Sequence, residues 1–153
     1  MPENMKEMLL TAQKNGYAIG AFNIENMETA QAVISAAEEL DSPVILQTTP
    51  STVRYGSLKL FRRMLAAIVE DAKIPAVVHL DHGSSFELAV RAVHAGYTSV
   101  MIDGSQLDFD ANIALTKRVA EFCDAVKIPV EAELGKVGGK EDDAESSGAC
   151  YTL

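Results

Sequence analysis

The apolar positions of this chain change period many times between its two ends. Met5, Met8, Leu9 and Ala12 recur at helical spacing and Asn15-Gly16 stops the run, which predicts a short opening helix over Met5 to Asn15. The compact apolar stretch from Tyr17 to Phe22 reads as a strand. It is followed by a helical stripe of Ala30, Val33, Ile34, Ala37 and Leu40 within Glu28 to Leu40. The same alternation then recurs. Strands are predicted at Pro43 to Gln47, Ala76 to Leu80, Thr98 to Ile102 and Val130 to Glu133, and helices at Leu58 to Asp71, Phe86 to Ala95 and Phe109 to Val126.

Strands rich in Val, Ile and Ala without polar alternation are buried on both faces, the condition of a parallel sheet covered by helices. The pattern is therefore a repeating βα chain of the α/β class. A repeat of about thirty residues suits either a doubly wound sheet or a (β/α)8 TIM barrel, and periodicity does not choose between them. No Gly-x-Gly-x-x-Gly follows a predicted strand, which weakens the dinucleotide-binding version. Five strands do not close a barrel of eight, so the barrel reading expects about three further βα units. Past Glu133 the apolar period disappears. Gly135, Gly138-Gly139, Glu141-Asp142-Asp143 and Ser146-Ser147-Gly148 predict a polar, mobile loop over about 135–148.

Composition narrows the classes. With 153 residues and 48% hydrophobic content, the chain can bury a real core as one domain. A net charge of −9 disfavours nucleic acid and anionic membrane surfaces as partners. It does not disfavour small phosphorylated ligands, which local amides and one or two cations can hold. Cys123 and Cys150 are too few for a disulfide framework and read as free thiols of a reducing cytoplasm. Met1 to Leu10 lacks a basic leader before a long apolar stretch, and no run approaches the roughly 18 apolar residues of a membrane span. The expectation is a cytoplasmic protein.

In parallel α/β folds reactive groups gather at the carboxyl ends of strands. The polar residues there are Asn23, Thr48-Thr49, Asp81-His82, Asp103 and Glu133. Asp81-His82-Gly83 is the sharpest of them. An imidazole can bind Zn²⁺ at neutral pH, and an adjacent carboxylate can exchange a proton with substrate beside the metal. The plainer alternative makes Asp81 the cap of the helix beginning near Ser84 and leaves His82 exposed on a loop. His79 reads as a hydrogen-bonded interior histidine, and His94 as a residue on a helix surface. Lys73, Lys117 and Lys127 fall on or after helices, which disfavours a lysine Schiff-base mechanism.

Three stretches resemble class II fructose-bisphosphate and tagatose-bisphosphate aldolases. They are Val78-His79-Leu80-Asp81-His82-Gly83-Ser84-Ser85, Ser99-Val100-Met101-Ile102-Asp103-Gly104-Ser105, and Val130-Glu131-Ala132-Glu133-Leu134-Gly135 followed by Gly138-Gly139-Lys140-Glu141-Asp142-Asp143. Tyr17 to Asn23 is similar to the first strand of that family. The resemblance implies a (β/α)8 barrel, a proton-transferring carboxylate at Asp81 and a catalytic zinc ligand at His82. It implies that Asp103 and Glu133 line an alternative, buried metal position, which leaves room for a second divalent or monovalent cation. Glu141 would close over substrate to move the proton at the dihydroxyacetone phosphate carbon. Asn23 and Thr49 are the candidates for substrate contact, and Gln47-Thr48-Thr49-Pro50 is closer to the tagatose branch than to the fructose branch. Two further zinc-binding histidines belong to the half of the barrel beyond this sequence. The expected substrate is a phosphorylated ketose and the expected assembly a homodimer or homotetramer. The rival expectation is a non-catalytic βα scaffold, or a subunit whose partner supplies the missing ligands.

Overall fold

The computed structural model describes residues 4–135, 139–141 and 144–146. Five parallel strands pair in chain order: β1 (Gly20–Asn23), β2 (Val44–Thr48), β3 (Ala76–Gly83), β4 (Ser99–Ile102) and β5 (Val130–Ala132). The helices among the described residues are α1 (Met5–Asn15), α2 (Met27–Glu39), α3 (Pro50–Gly56), α4 (Leu58–Asp71), α5 (Phe86–Ala95) and α6 (Phe109–Ala125).

Strand order decides what periodicity left open. A doubly wound sheet reverses its order at a switch point and carries helices on both faces. Here the order never reverses, and α2, α4, α5 and α6 pack in a row, each against the next. This is the wall of a (β/α)8 barrel, covered by the first five strands.

Local sequence signals explain the element ends. The Asn26 side chain accepts from Thr29 N–H to open α2, Ser85 accepts from Leu88 N–H to open α5, and Asp108 accepts from Ala111 N–H to open α6. Ser85, not Asp81, is the capping residue of α5, so the plainer alternative for Asp81 falls away. Gly96, at φ 100, ends α5 in the left-handed region that glycine enters without penalty.

The core is built from two unequal faces of the sheet. Val44, Leu46, Val78, Leu80, Val100 and Ile102 point outward and meet Ala30, Ile34, Leu65, Ala89, Ala92 and Val119 of the helices. Each large side chain so buried contributes about 1.5–3 kcal/mol. On the inward face Ile45 and Val77 pack with Met5 and Met8, so α1 is not part of the helical wall but closes over the inner surface. The inward positions that follow are polar: Gln47 on β2, His79 and Asp81 on β3. Burial on both faces holds for β2, β3 and β4, whereas β1 and β5, the edges of the sheet, are largely exposed.

Four details depart from expectation. β1 begins at Gly20 rather than Tyr17, because Ile19 turns onto the α1 cluster. The stretch before Leu58 forms α3, seven residues long with Pro50 in its first turn, too short to show a periodic stripe. β3 runs on through Asp81 and His82 to Gly83. Within the stretch expected to be a mobile loop, Gly139–Glu141 (β6) and Ala144–Ser146 (β7) pair antiparallel, while residues 136–138, 142–143 and 147–153 lie outside the described residues.

Candidate functional site

Consecutive residues of a regular strand face opposite sides of its sheet. Asp81 and His82 do not. Leu80 pairs with Val100 and Gly83 with Ile102, so three steps along β3 oppose two along β4. The extra residue is a bulge, and it lets two neighbouring side chains serve one face. His82 takes φ 44 to make it, a left-handed conformation that costs a non-glycine residue roughly 1–2 kcal/mol. Gly83 then pairs so closely that a Cβ there would stand 2.4 Å from the Met101 carbonyl oxygen. Gly83→Ala should therefore lose about 1–3 kcal/mol of stability, read from denaturant unfolding, because backbone rather than a flexible side chain obstructs it.

The bulge directs His82 toward the ends of β4 and β5. His82 Nδ1 lies 2.9 Å from Asp103 Oδ2 and 3.6 Å from Glu133 Oε2. One ligand atom from each of the three residues falls within 4.8 Å of the others. Asp103 is fixed from its other oxygen, which accepts from Ser105 N–H at 2.9 Å. The hydrogen bond to Asp103 raises the His82 pKa to about 9, against the opposing effect of burial and with help from the charges of Asp81, Asp103 and Glu133. The same bond holds the Asp103 pKa down at about 2. The cluster thus draws a positive charge to its centre.

This pair carries a pH signature in the metal-free protein. His82, raised from 6.5, contributes stability that is complete below 6.5 and lost as pH rises through about 9. Asp103, lowered from 3.8, contributes stability that is complete above 3.8 and lost as pH falls through about 2. The pair's contribution should be greatest between those two ordinary values. Thermal unfolding in the presence of chelator, compared with Asp103→Asn across pH, checks it: the gap between the two proteins should narrow at both extremes.

Asp81 is held from the opposite side. The Gln47 amide nitrogen donates to Asp81 Oδ2 at 2.7 Å and to Asn23 Oδ1 at 2.8 Å, using both of its hydrogens. Three strand ends are joined this way. His79, one layer below, is buried as expected. Its Nδ1 lies 2.8 Å from Ser99 Oγ, while Nε2 has no hydrogen bond among the described residues. Burial, then the nearby His82, lowers the His79 pKa to about 4, so the 3.5 Å approach of Nε2 to Glu131 is not an ion pair at neutral pH. His94 is exposed on α5, again as expected.

The sequence candidates thus divide. Asp81, His82, Asp103, Glu133 and Asn23 form one linked region at the carboxyl ends of the strands. Thr49 begins α3 and spends its hydroxyl locally, on Ser51 at 2.8 Å and Thr52 at 3.3 Å, with Thr52 donating to Glu25 at 3.0 Å. The side chain of Glu141 lies outside the described residues. Two residues were not singled out by sequence. Gln47 closes the apolar run of its strand and satisfies the strand-end criterion that found the others. Asn112 is the polar member of the buried stripe of α6, where only its misplaced polarity could have pointed to it. An open cleft lined by Leu9, Leu10, Ile45 and Pro129 lies between α1 and the start of β5, away from this cluster.

A family model described as fructose-bisphosphate aldolase class-II matches residues 3–153. The chain belongs to that family. A fructose-bisphosphate aldolase of Geobacillus stearothermophilus is 48% identical over 151 residues, which are 97% of this chain and 53% of that protein. One from Staphylococcus aureus is 46% identical with the same coverage. The crystal structure of the YdjI aldolase from Escherichia coli K12 superposes with a TM-score of 0.85 at 39% identity, over 92% of this chain and 54% of that one. The chain therefore spans about half the length of these relatives. Among the described residues, no helix is long and apolar enough to cross a membrane.

The zinc implied for this family can be tested against the donors themselves. One imidazole and two carboxylates converge, and the hydrogen bond to Asp103, with help from the surrounding negative charges, holds a proton on His82 well above the usual histidine range. A divalent cation answers the same electrostatic demand with ligand types that Zn²⁺ accepts. The residues fit the metal.

Proposed function

We propose that this chain is the N-terminal part of a zinc-dependent class II aldolase that reversibly cleaves a ketose 1,6-bisphosphate to dihydroxyacetone phosphate and glyceraldehyde 3-phosphate. The observation that carries the reading is the bulge of β3, which turns Asp81 and His82 to one face with a carboxylate pair beside the imidazole. His82, Asp103 and Glu133 are the residues that would hold metal here, His82 as catalytic ligand and the two carboxylates lining an alternative buried position. When bound, the cation stabilises as a Lewis acid the negative charge that develops on the substrate oxygens. Asp81 removes the hydroxyl proton of the bisphosphate in cleavage and returns it to the aldehyde oxygen in condensation. Gln47 holds that carboxylate in place. Glu141 moves the proton at the dihydroxyacetone phosphate carbon, and Asn23 and Thr49 contact substrate. Catalytic zinc sites use three protein ligands, and the family resemblance puts two further histidines in the half of the barrel outside these residues.

The substrate is fructose or tagatose bisphosphate. The relatives bear the fructose name, while Gln47-Thr48-Thr49-Pro50 favours the tagatose branch. The complete enzyme would be a cytoplasmic homodimer or homotetramer. Zinc content and cleavage of both bisphosphates by the intact protein test the reading: about one zinc and measurable cleavage of at least one substrate are expected, and a metal-free, inactive protein would leave the scaffold alternative. Glu141→Ala should depress solvent exchange of the dihydroxyacetone phosphate proton with zinc affinity nearly unchanged. Undiminished exchange in that variant removes Glu141 from the mechanism.

A further inference from the structure

We propose that Asn112, on the outer helix α6, is a positioning residue that sets the spacing of Asp103 and Glu133 and thereby the affinity of the trio for a divalent cation. The inference rests on the metal reading above. Its observations are independent of the trio's own contacts.

Sheet pairing of β5 ends at Ala132, so the Glu133 main chain lies beyond the last ladder partner. Its carbonyl oxygen accepts instead from Asn112 Nδ2 at 2.9 Å. A carbonyl can only accept, which fixes the orientation of the amide, and its other end agrees: Asn112 Oδ1 accepts from the Thr116 hydroxyl at 3.2 Å. Asn112 is 7% exposed, so its amide makes both of these hydrogen bonds largely shielded from water.

The same side chain touches the end of β4. A Cβ on Gly104 would meet Asn112 Oδ1 at 2.2 Å and Cγ at 2.7 Å, so the chain just past Asp103 lies flat against the amide. Ser105 N–H, one residue on, fixes the Asp103 carboxylate. One amide therefore braces both strand ends that carry the carboxylates, from behind the sheet and without touching the metal position. α6 supplies the rigid base: Asp108 caps its first turn, and Val119 and Cys123 anchor it in the core.

The brace predicts an effect on metal binding separate from an effect on folding. Groups that orient metal ligands typically change affinity 10- to 100-fold when removed. Asn112→Leu keeps the volume and removes the donor, and Val119→Ala opens a cavity under the same helix, seven residues on, while leaving both hydrogen bonds of Asn112 in place. In the intact protein, Zn²⁺ affinity measured by competition with a chelating dye should fall roughly 10- to 100-fold in Asn112→Leu and stay at the wild-type value in Val119→Ala. Where Asn112→Leu does not fold, Asn112→Asp serves, since it keeps the Thr116 acceptor and loses the donor to Glu133. Wild-type affinity in a folded Asn112 variant overturns the proposal, as does an equal loss in Val119→Ala. Failure of the metal reading looks different: the wild-type protein binds no zinc, or binds it equally well after His82→Ala.

Discussion

Asp81→Asn should lower turnover by roughly 10²- to 10⁴-fold, the usual contribution of a general acid–base group, while zinc stays bound. The substitution is close to isosteric and keeps an oxygen to accept from the Gln47 amide, so the side chain should hold its place between Gln47 and the metal trio. What it removes is the ability to take up a proton. Turnover and zinc content measured on the same preparation check this, and turnover equal to wild type would remove Asp81 from the assigned role. A milder substitution at Gln47 would not make the same distinction, because it changes both the orientation of Asp81 and the contact to Asn23.

His82→Ala should abolish stoichiometric zinc and activity together. Without the imidazole the described cluster retains Asp103 and Glu133 alone, two carboxylates whose mutual repulsion His82 now offsets. Three protein ligands are usual for a catalytic zinc, and the lost one sits at the convergence of the set. Bound metal quantified after dialysis gives the answer: a full equivalent of zinc in the variant would show that the ligand is elsewhere. Set beside Asp81→Asn, this separates a residue that moves a proton from a residue that holds the cation.

The architecture was legible because its signals are local. Asn26, Ser85 and Asp108 cap helices at the boundaries that apolar periodicity marks, and Val, Ile and Ala at buried strand positions demand a covered parallel sheet. Strand ends located Asp81, His82, Asp103 and Glu133 for the same reason. The bulge was not legible. Asp-His-Gly following an apolar run reads equally well as the start of a loop, and only pairing with β4 shows that the strand continues with one residue too many. Asn112 stayed hidden because its partner is a carbonyl of Glu133, far along the chain, and periodicity carries no information about such a contact. Gln47 needed the fold to bring Asn23 and Asp81 to its two sides.

The strict chain order of the strands also bears on how the molecule forms. Each strand pairs with the one synthesised just before it, so every closure joins neighbouring units and the entropy lost at each step stays modest for a sheet. The ligand trio, drawn from β3, β4 and the residue following β5, is complete only when Glu133 arrives. A cation bound there would come too late to template the early strands; it would favour chains that have already assembled five of them, by mass action.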